Sequence, residues 1–189
     1  MNYKIAVSGS ANNNCAPGAF KKAYEIGRQI ALHGCVLITG ATIGVPEWAT
    51  RGAKSVGGVS IGLSPAVSKQ AHTHTYRLPT RYMDLIIYTG FDYSGRNMLM
   101  TKASDAVIVI CGRIGTLNEF TTAFEDKRVI GVLTNTGGAV EEIDEILKMA
   151  HRGRKRIVFE SDPKKLVEEV IKLIRINDKV KNLRMRESA

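Results

Sequence analysis

Acidic residues are the first shortage: 18 Asp and Glu stand against 27 Lys and Arg, a formal net charge of +9. That balance points to anionic partners, either nucleic acid or phosphorylated metabolites. Aromatic residues make up only 6% of the chain, with a single Trp. None is interleaved with the basic run of Lys148, Arg152, Arg154, Lys155 and Arg156, or with the one between Arg175 and Arg186. Without rings for bases to stack on, both runs read as solvated surface, and nucleic acid is disfavoured as a partner. No apolar run approaches a membrane span and no signal-peptide pattern is present, so a cytoplasmic protein without a membrane partner is expected. Cysteine is scarce too. Cys15, Cys35 and Cys111 are odd in number and far apart, with no C-x-x-C, and the expectation is a reduced cytosolic protein. Also missing are a G-x-G-x-x-G fingerprint and a Walker-type loop, which argues against a nicotinamide enzyme or an ordinary ATPase.

What the chain does have is an organising stretch, residues 103–120. Residues 106–111 form an unbroken Val- and Ile-rich run, suited to a strand buried on both faces of a parallel sheet. The run stops at Gly112-Arg113-Ile114-Gly115-Thr116, after which Leu117, Phe120, Thr121 and Phe124 recur at helical spacing. Strand, glycine turn and helix start together aim backbone N–H groups and a positive helix end into one crevice. A phosphate suits that crevice, with Thr116 as a cap or ligand contact and Glu119 one turn further in. Cys111 is expected to pack as a small residue, because no His lies nearby in sequence to activate a thiol.

Elsewhere strands alternate with helices. Strands are expected over residues 3–8, 35–39, 59–63, 84–89, 129–134 and 157–159. Pro17 opens a helix whose apolar face is Phe20, Ala23, Ile26, Gly27, Ile30 and Ala31, and Gly34 ends it. Gly40-Ala41-Thr42-Ile43-Gly44 is a second glycine turn, leading to a helix from Pro46 to Ser55. Another helix is expected over residues 140–150. Ser161-Asp162-Pro163 begins a last one with Leu166, Val167, Val170, Ile171 and Ile174 on its apolar face. Residues 67–79 are the least regular; His72 and His74 lack a third ligand there, so exposed loop histidines are expected rather than a metal site. This alternation specifies one α/β domain over residues 1–177, a Rossmann-like three-layer fold with a mostly parallel central sheet flanked by helices. A basic tail over 178–189 is expected to fray. The loops at Gly9, Gly40, Gly90 and Gly112 all leave strand carboxyl ends, where such sheets bind ligands.

Arg96, followed by an Asp-Ala strand and then by Gly112, Gly115, Thr116 and Glu119, resembles the signature of the LOG-type, lysine-decarboxylase-like superfamily. That superfamily includes cytokinin-nucleotide phosphoribohydrolases, molybdenum-cofactor carrier proteins and a DNA-processing protein. Cys111 stands where the motif has Pro and Arg113 where it has the second Gly, and the overall run resembles the carrier-like branch most. The resemblance implies a homodimer and two readings of the crevice. In the first, a nucleoside 5′-monophosphate is hydrolysed at its N-glycosidic bond, with Arg96 and Glu119 catalytic. Its phosphate then lies on Gly9, Ser10, Gly40, Gly44, Gly112, Arg113, Ile114, Gly115 and Thr116. The alternative is a carrier that holds a nucleotide or molybdopterin-type ligand without cleaving it, favoured by the extra cation at Arg113. A third reading, single-stranded DNA handling, rests on the basic runs and on the resemblance to the DNA-processing members of the superfamily. Neither of the first two requires a resident cofactor. A structural role, in which Arg96 and Glu119 merely pair two helices, stands beside both.

Overall fold

The computed structural model describes residues 2–11 and 15–187. Seven strands make one sheet: β1 (Lys4–Gly9), β2 (Val36–Thr39), β3 (Ser60–Ser64), β4 (Leu85–Tyr88), β5 (Ala106–Ile110), β6 (Val129–Leu133) and β7 (Ile157–Glu160). Their order is β4-β3-β2-β1-β5-β6-β7, and every pairing is parallel. The central strand β1 sets Val7 beside Thr39 of β2 and Ile108 of β5. All five residues of β5 are fully buried, which is why that strand reads as continuous hydrophobic sequence.

Helices cover both faces. On one lie α1 (Ala19–Leu32), α2 (Val45–Lys54) and α6 (Pro163–Glu187), closing a core with Ile5, Val7, Leu37 and Ile108. On the other lie α3 (Asp92–Ala103), α4 (Ile114–Glu125) and α5 (Ile143–Met149), over Ala6, Ile38, Val107 and Val109. The buried face of α3 is unusual in being polar, with Arg96, Asn97 and Thr101 beside Met100. Burying such groups is costly unless they are paired, so this face marks where the fold serves something other than packing.

Several expectations need correcting. Pro17 lies ahead of α1, whose cap position is held by Gly18 in a left-handed conformation. The helix expected over 140–150 is a 3-10 turn, Gly138–Glu142, leading into the shorter α5. α6 runs from Pro163 to Glu187, through a stretch rich in Lys, Arg and Leu and without Gly or Pro. His72 is fully buried, whereas His74 is exposed as expected. It sits in a π-helical turn, Ala71–Thr75, and is hydrogen-bonded on both ring nitrogens. The cysteines are not all reduced. Cys15 and Cys111 form a disulfide with Cα atoms 5.6 Å apart, and Cys35 is buried and free. Spacing hides this bridge, because the two residues lie 96 apart in sequence and meet only where the loops after β1 and β5 run side by side.

Candidate functional site

The chain leaves β1 towards β2 on one side, while β5 lies on the other, so the sheet changes winding direction between β1 and β5. Loops diverge at such a point and leave a crevice beyond the strand carboxyl ends. A cavity of about 610 Å³ occupies it. The end of β1 contributes Ser8, Gly9 and Ser10, the loop after β2 contributes Gly40 and Thr42, and the start of α4 contributes Arg113, Gly115, Thr116 and Glu119. From α3 come Tyr93, Arg96 and Asn97. Because α4 begins at Ile114, the amides of its first turn have no intrahelical acceptors and lie at the positive helix end.

Arg96 and Glu119 meet in the crevice floor. The Arg96 Nη1 donates to Glu119 Oε1 at 3.1 Å, with the two side chains only 5% and 8% exposed. The other carboxylate oxygen, Oε2, accepts from Ser8 Oγ. Burial pushes the Glu119 carboxyl above the ordinary carboxylate range, while Arg96 and then Ser8 oppose that shift. Burial likewise lowers Arg96 from its usual value, opposed by Glu119. Gly40 makes this pairing sterically possible, since a Cβ there would overlap the Arg96 guanidinium. Gly112, at φ +91, has no room for a Cβ beneath the Thr116 side chain. Three arginines line the cavity (Arg77, Arg96 and Arg113) against one carboxylate, Glu119. The described lining therefore carries an excess of positive charge.

Most of the residues singled out in the sequence come together here. Gly9, Ser10, Gly40, Arg96, Arg113, Gly115, Thr116 and Glu119 line the cavity. Gly44 does not; it packs against the Ser10 carbonyl and starts α2. Gly112 turns the chain behind the lining, and the Ile114 side chain is 79% exposed. Gly90 faces Val67, away from the crevice. Sequence reasoning missed Ser8, Tyr76, Arg77, Leu78, Tyr93 and Asn97. Ser8 was within reach, as a polar residue at the end of a switch-point strand. The others come from an irregular loop and a helix face that periodicity does not reveal. Among the described residues, no group of three His, Cys, Asp or Glu is placed to hold a metal ion, and no helix is long and apolar enough to cross a membrane.

Residues 2–167 match the model of the SLOG cluster4 family. The chain belongs to the SLOG cluster4 family. An uncharacterized protein of Archaeoglobus fulgidus is 34% identical over 127 residues, which span 67% of this chain and 77% of that one. Two solved structures share the SLOG architecture over nearly the whole chain. One is the molybdenum cofactor binding protein of Rippkaea orientalis, with a TM-score of 0.77 and 29% identity, covering 92% of this chain and 98% of that one. The other is the molybdenum cofactor carrier protein of Chlamydomonas reinhardtii, with a TM-score of 0.74 and 26% identity, covering 93% and 99%.

Proposed function

We propose that this protein binds a phosphorylated, nucleotide-like ligand in the switch-point crevice and carries it without cleaving it. The molybdenum cofactor, a pterin bearing a phosphate, is the favoured cargo. The observation that carries the reading is the state of Glu119. Both of its oxygens are engaged, one by Arg96 and one by Ser8, in the crevice floor. A carboxylate held in this way supports the site, whereas N-glycosidic hydrolysis asks it to activate water or meet a developing cation. Arg113 supports the same reading: replacing a loop glycine by a cation favours ground-state binding, which alone does not accelerate chemistry. The cargo phosphate lies at the first turn of α4, beside Arg113 and Thr116. Two similar structures, the molybdenum cofactor binding and carrier proteins, agree with a carrier role.

The test is co-elution. Purified protein is mixed with molybdenum cofactor released from a molybdoenzyme and passed through a desalting column under anaerobic conditions. Molybdenum and pterin should leave the column with the protein in equal amounts. Their elution in the small-molecule volume would contradict the proposal.

A further inference from the structure

One wall of the crevice serves neither the phosphate nor the ion pair. Tyr76, Arg77 and Leu78, three consecutive residues, all line the cavity. The buried His72 holds this segment in place. Its Nε2 donates to Pro79 O at 2.9 Å and its Nδ1 accepts from Ser64 Oγ at 2.8 Å, while Leu78 N donates to His72 O at 2.9 Å. The wall also meets α3: the Tyr76 hydroxyl donates to Asp92, and its ring packs edge-on against Tyr93 at 5.9 Å. Asn97, one turn along α3 from Tyr93, is 4% exposed and lines the same cavity. Its Nδ2 donates to Asn118, but its Oδ1 has no hydrogen-bond partner among the described residues. Arg77 is held at φ +53, a costly conformation for a residue with a side chain, and makes no ion pair among the described residues.

These groups line one part of the cavity together. Two tyrosines and Leu78 offer apolar area, and Arg77 offers a donor fork. We infer that this wall reads the heterocycle of the ligand and selects an amino-oxo fused ring, as in guanine or a pterin, over an amino ring such as adenine. An amino-oxo ring carries a carbonyl oxygen and a ring nitrogen side by side as acceptors, which a guanidinium fork fits in bidentate fashion. Adenine places an amino donor where the fork needs an acceptor. The inference rests on the crevice being the ligand site and adds which ring it takes.

Calorimetric titration with GMP and AMP separates the two claims. The parent protein should bind GMP about tenfold or more tighter than AMP. Arg77→Met and Arg77→Lys should each bring GMP affinity down to that of AMP and so abolish the preference, with the melting temperature unchanged. Lys keeps the charge and loses the fork, so a preference retained in Arg77→Lys would reduce Arg77 to a nonspecific anion contact and overturn the inference. Equal binding of the two nucleotides by the parent would overturn it as well, while leaving the crevice as the ligand site. If the parent bound neither, the crevice reading and the inference would fall together.

Discussion

Arg96 and Glu119 decide how the crevice floor behaves, and their energetics can be isolated. Removing one partner of a buried pair leaves an uncompensated charge, so Arg96→Met should lower stability by about 3–5 kcal/mol in chemical denaturation. The pH dependence has a definite sign. Glu119 has its folded-state pKa raised by burial, so its proton-linked stability is fully present below the unfolded carboxyl value and is lost as pH rises through the folded value. Arg96 opposes that rise, and deleting it extends the window to higher pH. Arg96→Met should therefore gain more stability than the parent between about pH 8 and about pH 5; equal gains would mean that Arg96 does not act on the carboxyl. Arg113, which lines the cavity at the start of α4, gives a second residue-level expectation. Arg113→Gly should weaken nucleotide monophosphate binding roughly tenfold, and the loss should shrink as salt rises. Tighter binding in calorimetry would mean that the side chain obstructs the site.

At the level of elements, three loops are fastened together behind the Gly112 turn. The disulfide joins the loop after β1 to the end of β5, and Ala16 N and Cys111 N both donate to Thr136, beyond β6. Cys15→Ser should lower stability by about 2–4 kcal/mol, and a reducing agent should lower the parent's melting temperature but not the variant's. An unchanged parent would show that the bridge contributes nothing. The elements themselves were legible in the sequence, since each strand is a short apolar run and the apolar stripes of α1 and α6 match their buried faces. The disulfide was not, because it depends on β1 and β5 being neighbours in space. Nor was the role of His72: two histidines in an irregular stretch carry no sign that one is buried between Ser64 and Pro79. The inward face of the helix carrying Arg96 escaped for a different reason. It is polar because it lines a site, so hydrophobic periodicity points away from the residues that matter.

For the molecule as a whole, an all-parallel sheet whose winding reverses between β1 and β5 puts five separate segments around one cavity. The glycine turn at Gly112 and the motif pair Arg96 and Glu119 were readable in sequence because strand–turn–helix chemistry is local. The wall at Tyr76–Leu78 was not, since it and α3 are far apart in sequence and line one cavity only in the fold. Three arginines of the excess positive charge line the crevice, while Lys164, Lys165, Lys172, Arg175 and Lys179 of α6 are exposed. The central claim is that the ligand is held and not cleaved. It is tested most directly by incubating the protein overnight with GMP and separating the products by chromatography. The account predicts that the nucleotide is recovered intact. Free guanine and ribose 5-phosphate, formed in proportion to the protein and lost in Glu119→Gln, would contradict it and make the protein a hydrolase.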